Sequence, residues 1–307
     1  MKTPEVDILL ATYNGERFVR EQIESLRAQT FRNWRLLVHD DGSTDCTLDI
    51  VRNLAIEDPR IEILSDGVRF GKAPANFLYL LRFSDGPRVM FCDQDDVWFP
   101  EKVEKMLAAS RSLSDDTPGV VYSRANYWNP ERGVINQTWR RYPVGLPMFL
   151  TQKAAVQGSA SMFNGAMRDA LLSYQGPVVM HDHLVGLVAN SFGEAVYMPD
   201  VLMNYRQHDR NVTGNNDEAR TGLAWIWRKL SNRPVMDPLT LRSIRSFYGF
   251  FEPRISPGRK KIYEEFFRLE NRSRISRVLA ARRYGFGRDG SVNKLSLKLL
   301  LSPYLNN

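Results

Sequence analysis

The chain has 307 residues, with 42 Lys+Arg against 35 Asp+Glu, which gives a formal net charge of +7. A composition of 43% apolar and 25% charged residues is typical of a globular protein and excludes disordered and fibrous chains. The two cysteines, Cys46 and Cys92, form neither a CxxC pair nor a disulfide framework, and the N-terminus lacks the apolar core of a signal peptide. No stretch approaches the roughly 18–20 apolar residues of a transmembrane helix, so we expect a soluble or surface-attached cytoplasmic protein.

Strand-like and helix-like segments alternate four times in the first half of the chain. Each apolar strand pattern stops at a turn, and apolar residues at helical spacing follow it. These patterns predict strands at residues 6–12, 34–39, 61–64 and 88–92, and helices at residues 18–26, 48–54, 75–81 and 101–113. Further along we expect a short helix at 166–174, a helix after His181, a pair of strands at 195–199 and 201–205, and helices from Arg220 onward.

Four repeats of strand, turn and helix predict an α/β fold with a mainly parallel sheet and helices on both faces. In such sheets the ligand lies beyond the carboxyl ends of the strands. The loops at residues 12–16, 40–43 and 93–96 fall at those ends, and all three are polar. The sequence therefore predicts a ligand site at this edge of the sheet.

The loop Asp93-Gln94-Asp95-Asp96 follows the fourth strand directly. Three carboxylates in four residues repel each other unless a cation or hydrogen-bond donors relieve the charge. Mg²⁺ and Mn²⁺ prefer oxygen ligands and are commonly held by one or two carboxylates together with substrate phosphates. We interpret the loop as a metal site, and the alternative is an acidic turn before the next helix.

A second acidic turn, Asp40-Asp41-Gly42-Ser43, follows the second strand. A carboxylate here can accept a hydrogen bond from a base or a ribose, and the next helix offers amide donors at its N-terminus. Ordinary turn and capping chemistry is the alternative reading of this segment. Its position on the same sheet edge as the other acidic loop favours a ligand.

These segments resemble the family 2 nucleotide-sugar glycosyltransferases, which have a GT-A fold, and the resemblance extends over roughly residues 5–210. The matching segments are Ala11-Thr12-Tyr13-Asn14, Gln29-Thr30-Phe31, Asp40-Asp41-Gly42-Ser43-Thr44-Asp45 and Asp93-Gln94-Asp95-Asp96 with Trp98 and Pro100-Glu101-Lys102. The resemblance implies that Thr12, Tyr13 and Asp41 contact the nucleoside. It also implies that Asp93 faces the ribose and that Asp95 binds the divalent metal, Mg²⁺ or Mn²⁺, that grips the diphosphate.

The second half resembles the bacterial rhamnosyltransferase branch of this family. The segments that carry this likeness are Gly158-Ser159, His181-Asp182 and Tyr205-Arg206-Gln207-His208. By this resemblance Gly158 belongs to the donor site, Asp182 is the general base and His208 contacts the metal or the phosphates. The alternatives are that Asp182 only caps its helix and that His208 is a surface histidine. Gln152-Lys153 stands where the branch has Gln-Asn, which departs from the pattern at residue 153.

The resemblance implies an inverting transfer, in which one base deprotonates the acceptor hydroxyl while the diphosphate leaves on the opposite face. We expect dTDP-L-rhamnose as donor and a growing, lipid-linked cell-surface polysaccharide as acceptor. One rival is a sugar-phosphate nucleotidyltransferase, although the first loop lacks a Gly-rich triphosphate motif. Another is a non-catalytic protein that binds membranes or polyanions through its basic C-terminal part.

The positive charge is confined to the C-terminal part of the chain. Residues 220–307 carry 19 Lys+Arg and 6 Asp+Glu, a balance of +13, which leaves 23 against 29, a balance of −6, for residues 1–219. We therefore predict a catalytic domain at residues 1–215 and a basic helical extension at 216–307. Aromatic residues interleave with the basic ones there, which suits either attachment to the inner face of an anionic membrane or packing against the catalytic domain. No nucleic-acid-binding signature accompanies them.

Overall fold

A computed structural model of the chain describes residues 4–138, 145–151, 156–208, 234–288 and 291–305. Nine strands form one sheet. They are β1 (Val6–Thr12), β2 (Trp34–Asp40), β3 (Ile61–Leu64), β4 (Arg88–Asp93), β5 (Val97–Trp98), β6 (Gly119–Asn129), β7 (Gly133–Gln137), β8 (Ser161–Asn164) and β9 (Glu194–Arg206).

The described α-helices lie between these strands and after the last of them. They are α1 (Val19–Arg27), α2 (Thr47–Glu57), α3 (Ala73–Leu80), α4 (Lys102–Ser110), α5 (Leu146–Thr151), α6 (Gly165–Ser173), α7 (His181–Phe192), α8 (Pro238–Phe251), α9 (Pro257–Arg268), α10 (Arg274–Tyr284) and α11 (Val292–Leu301). A 3₁₀ turn at Gly158–Ala160 precedes β8.

The sheet has the strand order β3-β2-β1-β4-β8-β6-β9-β5, with β7 paired to β6. Strands β3, β2, β1 and β4 are parallel, as the alternating pattern predicts. Antiparallel β8 follows β4, so the remaining half of the sheet is mixed. The predicted α/β fold with helices on both faces and a helical C-terminal part is confirmed, and its parallel half carries the predicted ligand edge.

The predicted pair of strands at 195–199 and 201–205 is one continuous strand, β9. Its pairing with β6 shifts between Tyr197, which faces Tyr122, and Val201, which faces Arg124. Four residues of β9 therefore span two residues of β6, and Pro199 lies in the resulting bulge. Proline has no N–H for a sheet ladder and is tolerated at such irregularities, so it bends the strand without ending it.

Alternate residues of the parallel strands fill two hydrophobic cores, one on each face of the sheet. Ile8, Leu10 and Val38 point to one face, where they pack with residues of α1, α2 and α4. Leu9 and Phe91 point to the other, where they join residues of α3, α6 and α7. A strand buried on both faces reads as a nearly continuous apolar run, which explains the pattern of β1.

The C-terminal helices share the second core with the sheet. Phe247, Phe251 and Phe266 are buried in it, and Tyr174 of the catalytic part contacts the ring of Phe251. Packing therefore accounts for many of the aromatic residues in the basic part of the chain. The expected boundary at residues 215/216 lies outside the described residues, as do Trp225 and Trp227.

No helix among the described residues is long and apolar enough to cross a lipid bilayer.

Candidate active site

The carboxyl ends of β1, β2 and β4 lie side by side at one edge of the sheet. The parallel register places Thr12 opposite Asp40, and Ala11 opposite Asp93. The three polar loops that follow these strands therefore start from neighbouring positions. This is the place where α/β sheets bind their ligands.

Hydrogen bonds join the first loop to the second. The Thr12 hydroxyl donates to Asp40 Oδ2 at 2.8 Å, and the Asp41 backbone N–H donates to the Thr12 carbonyl at 2.9 Å. The Asp41 carboxylate accepts from the backbone N–H of Phe70, in the loop after β3. Asp40 also accepts from the backbone N–H groups of Gly42 and Ser43, which closes the turn. These bonds fix the direction of the Asp41 side chain.

Gln94 joins the first loop to the third. Its side-chain amide accepts from the backbone N–H of Tyr13 at 2.9 Å and donates to the Tyr13 carbonyl at 3.0 Å. Gly15 lies against this amide, where an added Cβ would come within 2.2 Å of Gln94 Oε1. The Tyr13 side chain is 56% exposed. Its backbone is thus held while its ring stays available to a ligand.

Asp95 lies beside the end of β9. Its Oδ2 is 2.8 Å from His208 Nε2, and the His208 ring stacks on Phe18 with centroids 4.8 Å apart. The Arg206 guanidinium donates to the Asp95 carbonyl at 2.7 Å and lies over the Trp128 ring. The acidic loop is therefore anchored to the segment that carries His208, although the two are more than a hundred residues apart.

Burial raises the pKa of Asp93 and of Asp96, and the charge of Asp95 raises both further. Asp96 accepts from the Arg206 backbone N–H at 3.2 Å, and its other oxygen is buried with no hydrogen-bond partner among the described residues. Negative charge at this edge is thus under-compensated by the described residues. A site of this kind favours a bound cation.

Lys102 lies beneath the acidic loop and is completely buried. Burial lowers its pKa, while Cys92 and the carboxylates of Asp96 and Asp93 oppose that shift. Its ammonium group is 3.4 Å from the centroid of the Trp98 ring. The same group donates to the backbone carbonyl of Ser159 in the 3₁₀ turn.

Asp182 lies in the first turn of α7 and is half-buried. Burial raises the pKa of its carboxyl to about 6, although backbone N–H groups of His183 and Gly158 face the carboxylate and limit the shift. It is close enough for its charge to raise the pKa of Asp93. The N-cap position of α7 belongs to Met180, and the Asp182 carboxylate accepts from the backbone N–H of His183 in the first turn, so a role at the start of the helix stays the alternative to that of base.

Gly158 allows the 3₁₀ turn to approach the start of α7. A Cβ at this position would lie 2.7 Å from His181 Nε2 and 3.5 Å from the Asp182 Cβ. The hydroxyl of the next residue, Ser159, faces Asp93 and limits the rise that burial causes in the pKa of that carboxyl. The turn therefore lies between the acidic loop and Asp182.

Asp95 and His208 supply one carboxylate oxygen and one imidazole nitrogen at a single point. In the described part of the chain, no group of three His, Cys, Asp or Glu side chains is arranged to hold a metal ion by itself. Mg²⁺ and Mn²⁺ accept such incomplete protein ligand sets because phosphates and water complete them. The residues present therefore fit a divalent cation that binds together with an anionic ligand.

The structure brings the sequence-predicted residues to one edge of the sheet. They are Thr12, Tyr13, Asp41, Asp93, Asp95, Gly158, Asp182 and His208. The sequence analysis missed the parts played by Gln94, Arg206 and Lys102, although each belongs to a quoted motif. The place of Lys102 in the motif segment Pro100-Glu101-Lys102, at the start of a helix, was the available signal. The Gln152-Lys153 departure lies outside the described residues.

The family model "Glycosyl transferase family 2" matches residues 7–171, which is more than half of the chain. The chain belongs to glycosyl transferase family 2. Its two carboxylate loops, the Gly158 turn and β8 all fall within the matched segment.

The chain is also similar to two curated relatives and to one solved structure. The chain is 26% identical over 227 residues to the dTDP-rhamnosyl transferase RfbG of Shigella flexneri, covering 67% of this chain and 74% of RfbG. It is 36% identical over 103 residues to WfgD of Escherichia coli, named a UDP-Glc:α-D-GlcNAc-diphosphoundecaprenol β-1,3-glucosyltransferase, but this match spans only 34% of this chain and 40% of WfgD. The mannosyltransferase PcManGT from Pyrobaculum calidifontis, solved with GDP-Man and Mn²⁺, superposes with a TM-score of 0.56 at 17% identity, covering 92% of this chain and 73% of PcManGT. At that identity the likeness shows the shared GT-A fold alone.

Proposed function

We propose that this family 2 protein is an inverting glycosyltransferase that uses a nucleotide diphosphate sugar. The observation that carries the proposal is the position of the Gly158–Ala160 turn, in which the Ser159 hydroxyl faces Asp93 and the Gly158 backbone N–H faces Asp182. The same turn thus lies beside Asp93, the proposed donor-binding carboxylate, and beside Asp182, the half-buried candidate base. An inverting transfer needs the base on the face of the anomeric carbon opposite to the leaving diphosphate.

In the proposed reaction Asp182 accepts the proton of the acceptor hydroxyl. The oxygen then forms a bond to the anomeric carbon, while the bond from that carbon to the diphosphate oxygen breaks and the diphosphate leaves with the electron pair. Asp41, Thr12 and Tyr13 would hold the nucleoside, and Asp93 the ribose. Asp95 and His208 would hold Mg²⁺ or Mn²⁺, which when bound neutralises charge on the diphosphate.

We propose dTDP-L-rhamnose as donor and a lipid-linked cell-surface glycan as acceptor. RfbG, which matches two thirds of this chain, is named as a dTDP-rhamnosyl transferase and supports the donor. The diphosphoundecaprenol in the name of WfgD supports a lipid-linked acceptor. Such an acceptor would bring the enzyme to the cytoplasmic face of the membrane, where the basic balance of residues 220–307 favours contact with anionic lipid.

The test is a donor panel with purified protein and Mn²⁺, in which release of the nucleoside diphosphate and transfer to an acceptor are followed. dTDP-L-rhamnose should turn over, whereas UDP-glucose and GDP-mannose should not. Asp182→Asn should retain donor binding and lose transfer by about 10²-fold or more. Asp169→Asn, at a carboxylate that is 69% exposed on α6, is the matched control and should keep full activity.

Two results would overturn parts of the proposal. Turnover with a donor other than dTDP-L-rhamnose, and not with dTDP-L-rhamnose, would reject rhamnose as the transferred sugar but leave the glycosyltransferase assignment intact. Release of pyrophosphate from a nucleoside triphosphate and a sugar phosphate would replace the transferase by a nucleotidyltransferase.

A further inference from the structure

Helices α10 and α11, which pack against each other near the C-terminus, carry positive charge only. Neither helix contains Asp or Glu. Their basic residues are Arg274, Arg277, Arg282, Arg283, Lys294 and Lys298, and all of these except Arg277 and Lys298 are exposed. No other pair of consecutive described helices combines six basic residues with no acidic one.

The same two helices expose large aliphatic side chains. Ile275 and Leu279 are 71% and 63% exposed, and Leu297 and Leu300 are 48% and 41% exposed. Spacings of four and three residues place each pair on one side of its helix. Ala281 on α10 and Leu299 on α11 point inward to the core. We call the exposed side, with its aliphatic and basic residues, the α10–α11 face.

A cleft of about 380 Å³ adjoins the N-terminal end of α10. Arg274 and Arg277 line it together with Tyr304, whose side chain is almost fully buried and whose hydroxyl has no hydrogen-bond partner among the described residues. The guanidinium of Arg277 lies over the Tyr304 ring, 5.0 Å from its centroid. Glu270 is already paired with Arg245. Arg277 donates to the backbone carbonyls of Leu269 and Glu270, so the exposed guanidinium of Arg274 is the donor that the cleft offers to an anion.

We propose that the α10–α11 face is the surface with which the protein sits on an anionic lipid bilayer, and that the cleft receives a lipid phosphate. Aliphatic side chains would enter the boundary of the acyl chains while the surrounding arginines and lysine meet the headgroups. This inference rests on the proposed function, because a lipid-linked acceptor is the reason for the protein to approach a membrane. Because both helices carry basic residues and no acidic ones, their charge is complementary to that of anionic lipid headgroups.

The experiment is co-sedimentation of the full chain with vesicles of phosphatidylglycerol and phosphatidylethanolamine, compared with vesicles of phosphatidylcholine alone. Binding should favour the anionic vesicles and weaken as salt rises, because surface charges are screened. The double variant Ile275→Ser/Leu279→Ser should lower affinity by about tenfold or more. Ile56→Ser is the matched control, since Ile56 is 84% exposed on α2 of the catalytic part, and it should bind as the unaltered chain does.

The charges and the cleft are tested separately. Arg282→Gln/Arg283→Gln should lower affinity by about fivefold per charge, whereas Arg52→Gln on α2, 55% exposed, should not. Arg274→Gln should reduce binding to anionic vesicles. Excess inorganic phosphate should not displace the protein from them, and competition by the free ion would overturn the assignment of the cleft to a lipid phosphate.

Equal sedimentation of the Ile275→Ser/Leu279→Ser variant and the unaltered chain would overturn the proposal. A dimeric state of the unaltered chain that is lost in this variant would also overturn the proposal, because the face would then be an interface between two copies. Donor hydrolysis in the absence of lipid should be the same in all of these variants. A chain that binds vesicles without hydrolysing any donor would leave the surface assignment intact and reject the proposed enzyme.

Discussion

The ammonium group of Lys102 donates to the backbone carbonyl of Ser159, and this bond links the underside of the acidic loop to the turn that contacts Asp182. The lysine is completely buried, with the Trp98 ring and the Met203 sulfur, 3.2 Å away, as its other neighbours. Burying a charged group destabilises the folded state by about several kcal/mol unless nearby polar groups compensate the charge. Here the Ser159 carbonyl and the carboxylates of the acidic loop offset part of that cost, and burial still lowers the pKa of Lys102 to about 7.

We predict that Lys102→Met lowers kcat by about tenfold or more while the KM for the donor changes little. The variant removes the anchor of the Gly158–Ala160 turn, and small displacements of catalytic groups cost large factors in rate. Steady-state kinetics on the purified variant checks this, with Lys105→Met on the same helix, 47% exposed, as the control. An unchanged kcat would remove Lys102 from any positioning role.

The rate of transfer should fall on the acid side of about pH 6. Burial raises the pKa of Asp182 to about 6, and the carboxyl must be ionised to accept a proton from the acceptor. Below that pH the active fraction falls tenfold for each pH unit. A profile of kcat/KM against pH, from about pH 4.5 to about pH 8, measures this decline on the acid side. A flat profile would exclude Asp182 as the base.

Asp182→Asn should make the protein more stable at neutral pH. Because the folded pKa lies above the ordinary value of 3.8, the folded state binds more protons than the unfolded state between pH 4 and 6. The stabilising contribution is thus present at low pH and lost as pH rises through the folded pKa. A neutral amide avoids this cost, which amounts to at most about 3 kcal/mol. Thermal unfolding at pH 7 and pH 4 should show the gain at pH 7 only.

Gly158→Ala should lower both stability and kcat. The new methyl group meets His181 Nε2 at 2.7 Å and approaches Asp182, so the turn or α7 must move. Overpacking of this kind costs about 1–3 kcal/mol. Gly249→Ala is the control, because no atom lies within 4 Å of its added Cβ on α8, and alanine is the better helix former. A Gly158→Ala protein with unaltered melting and kinetics would contradict the close approach.

Binding of the divalent cation should depend on the donor nucleotide. Asp95 and His208 offer too few ligands for tight binding alone, so Mn²⁺ and dTDP together should raise the melting temperature more than the sum of their separate effects. Asp95→Ala should abolish this joint shift, whereas Asp49→Ala, at a carboxylate that is 74% exposed, should keep it. A joint shift that survives in Asp95→Ala would place the metal elsewhere.

The sequence by itself determined the parallel half of the sheet and the positions of its acidic loops. Strands buried on both faces, such as Val6–Thr12, leave a nearly continuous apolar run, and the polar residues that end it mark the carboxyl edge. The two acidic loops that contain Asp41, Asp93 and Asp95 follow directly from that pattern, whereas the parts of these three residues are implied by the family resemblance. Local order along the chain was sufficient because each loop belongs to the strand immediately before it.

Only the tertiary structure decided which distant residues complete the site. His208 reaches Asp95 because β9 is one long strand, bulged at Pro199, and two shorter strands had been expected there. Lys102 meets Ser159 because α4 and the 3₁₀ turn pack on the same side of the sheet, a contact between residues 57 positions apart. Hydrophobic periodicity reports which side of an element is buried, but it does not report what lies opposite. The contact of Lys102 with Ser159 therefore could not be predicted, and His208 was expected near the metal only through the resemblance of its motif.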